Sequence, residues 1–316
     1  MIKGLCITPP ILGRISIGKV IERNGKRLPE KSDEFSITTQ VQNREGWLAH
    51  PYDDEFRKSS ANGKLRSIPI RVLFSDPELC LRAEYHMFDR NTGRPLCVGN
   101  GDTCKRYTPN GIEALPCPSP DGCEFSKGGL CKPYGRLNIK IGDDDDLGSF
   151  VFRTTGFNSI RSLAARLHYY RAVSGNLLAC LPLELRIRGK STTMSHRAAI
   201  YYVDITIREG LTLEDALTEA KQNDARRKTV GYNQAALDVA AHKGFSNGAF
   251  EDSVDEVFEV IDEFFHAGGN SNIHEEIQSN AATDNPKPGP TLLTRLDGKL
   301  NSGTPKSATD LTIPRE

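Results

Sequence analysis

Five of the chain's eight cysteines fall between Cys97 and Cys131, in the stretch CVGNGDTCKRYTPNGIEALPCPSPDGCEFSKGGLC. Glycine, proline and short polar residues fill the spaces, so the segment has little apolar material for a core of its own. A metal supplies what such a segment lacks, because structural Zn²⁺ takes about four thiolate or imidazole ligands and contributes folding free energy directly. The intervals between successive cysteines are six, twelve, five and seven residues, and none is the CxxC knuckle of common zinc ribbons. Cys117 and Cys123 stand in a turn-forming context, CPSPDGC, that can aim two sulfurs inward. Cys97, Cys117, Cys123 and Cys131 are therefore the expected ligands of a closed structural site, with Cys104 left over. Reduced, unligated cysteines or two disulfides in a loop-rich insertion are the plainer alternatives.

A chain of 316 residues has room for two average domains, or for one large domain and a tail. Hydrophobic residues make up 37% and charged residues 26%, enough for a core through most of the length. The net charge of zero argues against a globally basic nucleic-acid binder and leaves local asymmetry open. No apolar run approaches the roughly 18 residues of a membrane span, and no secretory signal opens the chain. A soluble, cytoplasmic protein is expected, in a reducing compartment where thiols bind metal more readily than they pair.

Periodicity places the elements. Residues 11–21, 80–88 and the stretches IPIRVLF, YGRLNIKIG and GSFVFRTTG alternate as half-buried strands do. A short β-rich piece is expected around Phe35–Thr39, and Trp47 is expected as a core anchor at the edge of a small sheet. Residues 52–64 read as a polar loop. NSIRSLAARLHYYRAVSG reads as a helix capped by Asn158 and ended by Gly175, with Ile160, Leu163, Ala164, Leu167 and Tyr170 on one stripe. LLACLPLELRIRG and AAIYYVDITIR are two further strands, and Thr212 to Asp215 form a capping box that opens a helix running to about Lys228. NQAALDVAAHKGF is a short helical piece. EDSVDEVFEVIDEFFH (251–266) is amphipathic, with seven acids and no Lys or Arg.

The predicted fold class is α+β. A β-rich main domain (1–208) holds the zinc-stabilised insertion 97–131, a helical region follows (209–267), and a tail poor in periodicity (268–316) is expected to be disordered.

No HExxH, GxSxG, Walker loop or strand-following GxGxxG is present, so no catalytic residue is nominated. His50, His86, His168 and His196 stand in separate elements, and Asp143 to Asp146 read as a solvated turn rather than a cation site. Charge is more informative. Between Val151 and Arg208 nine Lys or Arg face two acids, Glu184 and Asp204, and Arg153, Arg161, Arg166, Arg171, Arg186, Arg188 and Lys190 are candidate contacts for nucleic acid or a partner. The blander reading is that the basic block and the acidic helix complement each other within the fold.

Several of these stretches, GRISIG, KLRSIPIRVLF, CVGNG…CPSPDGC…CKPYGRL, and GSFVFRTTGFNSIRSL followed by GNLLACLPLELRIRGK, together resemble the recombination directionality factor-like family of phages and integrative elements, over roughly residues 10–208. Some relatives are described as hydrolase or metal-binding proteins. The resemblance implies a metal-binding accessory protein that switches a large serine integrase toward excision through the integrase's coiled-coil region. It also implies that Cys97, Cys117, Cys123 and Cys131 are the ligands. A single-strand DNA-binding or recombination-mediator protein is the alternative among binding proteins. A metal-dependent hydrolase or nuclease is the alternative among enzymes.

Overall fold

A computed structural model describes residues 10–23, 26–44, 46–60, 62–89, 91–126, 130–143, 148–191, 193 and 199–245, with the side chains of 18–32 excepted. The expectations for the acidic helix, the tail, Asp144 to Asp146 and His196 lie outside the described residues. The fold is α+β and β-rich. One sheet carries β1 (Ile11–Arg23), β2 (Lys26–Asn43), β3 (Gly46–Ala49), β4 (Ser67–Val72), β5 (Leu81–Phe88), β6 (Pro95–Gly99), β7 (Thr103–Thr108), β8 (Gly111–Pro116), β9 (Lys132–Ile141), β10 (Ser149–Thr154), β11 (Leu183–Ser191) and β12 (Ala199–Ile207).

The main path runs β3-β2-β1-β10-β9-β5-β6-β7-β8. It branches at β9, where Leu137 pairs with Leu81 of β5 and Val72 of β4 pairs with Ile139. The branch continues through β11 to β12. Among the described residues only β1 and β10 pair in parallel. Alternation sends Ile15, Phe150, Phe152, Leu137, Ile139 and Ile70 to one face, all at most 3% exposed, as the period of two requires. The 17-residue helix α4, Phe157–Val173 in chain order after α1 (Pro51–Ser59), α2 (Pro77–Cys80) and α3 (Ser119–Gly122), covers that face. Its buried Ile160, Leu163, Leu167 and Tyr170 meet β12 and the core, each such apolar side chain being worth about 1.5–3 kcal/mol. Beyond β12, α5 (Leu213–Thr229) starts at the expected capping box, and α6 (Gln234–Phe245) follows.

Local expectations fail in four places. Residues 51–59 form α1 rather than a loop, because His50 Nδ1 accepts from the Tyr52 N–H, Pro51 sits in the first turn, and acids lead while Arg57 and Lys58 close the helix. Asn158 does not cap α4. Gly156 holds that position, and the Asn158 amide oxygen instead accepts from Lys190 Nζ at 2.7 Å. Trp47 is half-buried on edge strand β3 with the Arg14 guanidinium 4.1 Å from its ring centroid, a cation–π contact rather than a core anchor. The cysteine segment is not a loop-rich insertion throughout, since Pro95 to Pro116 supplies strands β6, β7 and β8 of the main sheet.

Candidate functional site

Two glycines of the cysteine segment, Gly101 and Gly111, stand in hairpin turns. Asn100 Oδ1 accepts the N–H groups of Asp102 and Thr103, both at 2.9 Å, and Gly101 takes φ +103°, joining β6 to β7. Asn110-Gly111, with Gly111 at φ +112°, joins β7 to β8. The register then decides which side chains meet. Cys97 lies opposite Met87 and Arg106, and Gly99 opposite Tyr85 and Cys104. Residues directly opposite in a ladder share a face, so Cys97, Cys104 and Arg106 project together, with Leu115 beside Cys104.

The chain after β8 brings three more cysteines to that face. The Cys117 N–H donates to the Asp102 carbonyl at 2.8 Å, and its sulfur lies over Gly99, where an added β-carbon would stand 2.8 Å from Sγ. Cys123 ends α3, and Arg106 Nη2 reaches its sulfur at 3.7 Å while the same guanidinium stacks 4.4 Å from the Phe125 ring. Cys131 precedes β9 and packs with Cys117, Leu96, Leu115 and Leu130 around Met87, Cys97 and Cys104. Cys104, left over by the spacing, thus lies inside the same cluster, with its thiol 3.7 Å from the Pro116 carbonyl oxygen.

Burial and crowding keep the Cys104 and Cys131 thiols protonated when no cation is present. Burial pushes the Cys104 thiol up to about 11, aided by the neighbouring Cys97. Burial also pushes Cys131 up to about 12, with Cys97, Cys117, Cys123 and Cys104 all adding repulsion. A divalent cation inverts this logic, because a coordinating thiol is deprotonated outright. The seven described cysteines are free thiols. Among the described residues no three His, Cys, Asp or Glu side chains meet as a metal-binding group, so the five sulfurs are neighbours rather than a closed ligand shell.

The basic block from 151 to 208 does not form one face. Arg153 is on β10, Arg161, Arg166 and Arg171 are on α4, and Arg186, Arg188 and Lys190 are on β11. Most are held by carboxylates. Arg166 and Arg188 converge on buried Asp204 at 3.2 and 2.6 Å, Arg186 bridges Glu184 and Glu209, and Arg171 meets Asp76. Arg161 is exposed. Asp143 is drawn below the usual carboxylate range, to about 2, by a hydrogen bond from Arg208 and by Arg71. Residue-by-residue reading missed Gly99 and Arg106, which matter only through register. The alternation TCKRYT between two Asn-Gly turns was the available signal.

Residues 12–208 match the model of the Gp3-like family, described as recombination directionality factor-like. The chain belongs to that family. Neither the curated proteins nor the solved structures contain a match to it. The match to the recombination directionality factor-like family begins within β1 and ends after β12, so it takes in the cysteine cluster and leaves out α5 and α6. Membership points to a role in the recombination of phage or mobile-element DNA. No described helix is long and apolar enough to cross a membrane.

Proposed function

We propose that the chain is a directionality factor for a serine integrase, shaped by one structural Zn²⁺ and acting by protein contact. The observation that carries the reading is the packing of Cys97, Cys104, Cys117 and Cys131 around Met87, with Cys123 beside Arg106, within the family-matched part of the chain. Their chemistry suits zinc, since thiolates are its preferred structural donors and a set of four closes the coordination sphere. Cys97, Cys117, Cys123 and Cys131 would hold the metal, and Cys104 keeps the Pro116 carbonyl as its partner. Zinc there supplies folding free energy and no reaction chemistry. By tying the 117–131 loop to β6 it would fix the β7–β8 hairpin, whose Tyr107 and Ile112 pair across the strands and are 62% and 54% exposed. An exposed aromatic–aliphatic pair on a rigid hairpin suits a protein partner.

The test is an excision assay with the integrase of the same genetic element. Excision products are expected only when this protein is added, with loss in a Tyr107→Ala/Ile112→Ala variant. Excision that proceeds equally without the protein would contradict the reading. Tight DNA binding without integrase, lost steeply with salt, would favour a single-strand binding role instead.

A further inference from the structure

A strand at the end of a sheet offers a row of unpaired N–H and C=O groups, and proteins usually guard such edges. Among the described residues this sheet ends at β3, β8 and β12. Beside β12 the Val203 N–H donates to Ser159 Oγ of α4 and the Ile205 N–H to Asp204 Oδ1, both at 3.1 Å. β3 is only four residues long, and its pairing with β2 breaks register between Thr38 and Gln42.

β8 has neither protection. Thr108 pairs with Gly111 across a two-residue turn. The closing pair of such a hairpin is hydrogen-bonded, and so, by alternation, are Arg106 with Glu113 and Cys104 with Leu115. Ile112 and Ala114 hold the intervening positions, and their N–H and C=O groups point away from β7. Among the described residues nothing pairs with those groups. Ile112, Ala114 and Pro116 are exposed, and Pro116, which has no N–H, closes the free edge.

A second copy of the chain fits this edge badly. Antiparallel pairing of Ile112 with Ala114 sets Glu113 directly against Glu113, and like charges so placed destabilise a ladder. Sliding the copy until Ala114 meets Ala114 sets Ile112 against Pro116, which cannot donate. A basic strand fits better. Glu113 lies mid-edge and half-buried, with the Asn110 amide 3.5 Å away and no ion pair among the described residues. Arg106, opposite it, is turned instead to Cys123 and Phe125. The other face of the hairpin carries the exposed Tyr107–Ile112 pair. A strand with Lys or Arg opposite Glu113, flanked by apolar residues opposite Ile112 and Ala114, matches both faces.

We propose that β8 is extended by a strand of the integrase with the pattern apolar–basic–apolar, whose backbone pairs with Ile112 and Ala114. The identity of the partner rests on the function proposed above, and the mode of binding rests on the edge itself.

Hydrogen–deuterium exchange of the full chain, alone and with the purified integrase of the same genetic element, tests this. The Ile112 and Ala114 amides are expected to exchange at least roughly tenfold more slowly in the complex. Ala114→Pro removes an outward N–H without touching the ladder to β7, and should weaken integrase binding at least roughly tenfold where Ala114→Ser does not. Glu113→Lys should weaken it too. A complex in which both amides exchange as before, or one that tolerates Ala114→Pro at an unchanged thermal midpoint, overturns strand addition and leaves the directionality reading standing. Should Ala114→Pro lower the midpoint, exchange in the wild type decides. Absence of any complex with the wild-type chain overturns both readings. Amides that slow as the chain alone is concentrated assign the edge to a second copy and overturn the proposal.

Discussion

The Cys117 sulfur lies over Gly99, 2.8 Å from where a β-carbon at that position would stand. Any side chain at 99 would also stand 2.7 Å from Cys104 Cβ and 3.0 Å from the Thr103 carbonyl oxygen. Gly99→Ala is therefore expected to cost about 1–3 kcal/mol, the usual range for overpacking. Urea unfolding measures the loss, and faster labelling of Cys104 and Cys117 by a thiol reagent would locate it.

Asp204 is 3% exposed and serves two arginines, Arg166 from α4 and Arg188 from β11. Those arginine side chains are about half exposed, so losing either leaves Asp204 one partner, and Arg166→Ala or Arg188→Ala should each cost under about 1 kcal/mol. Asp204→Ala removes both bonds at once and should cost about 1–3 kcal/mol. The three urea midpoints compared at constant slope decide this.

His86 is buried between Phe88 and Tyr134, and burial, aided by Arg136 and Arg82, lowers its pKa from 6.5 to about 3. The unfolded chain takes up the proton first as pH falls. The neutral ring's contribution is full above pH 6.5 and is lost progressively as pH drops toward about 3. Stability measured from pH 7 to pH 4 should decline more steeply in the wild type than in His86→Phe.

Strong periodicity made α4 and β4 legible, because a helical stripe or alternation there coincides with burial, whereas β5 and β10 are buried on both faces over part or most of their length and were legible from their strand-forming residues. Helix α1 was hidden because Tyr52 and Phe56 are its large apolar residues and its signal lies in the His50 cap and the charge order. The cysteines were legible as a group, but the neighbours that define the cluster were not. Gly99 and Arg106 join it by strand register, and Cys104 enters because β7 faces it the same way as Cys97. The basic block misled for the same reason. Sequence proximity gathered Arg166 and Arg188, whereas the fold turns both toward Asp204.

The most direct test of the account is the zinc content of the purified chain, measured by elemental analysis against protein concentration. One equivalent is expected in the wild type and in Cys104→Ser, with loss in Cys117→Ser/Cys123→Ser and a lower thermal midpoint after chelation. A metal-free wild-type chain, or one equivalent kept by the double variant, would contradict it.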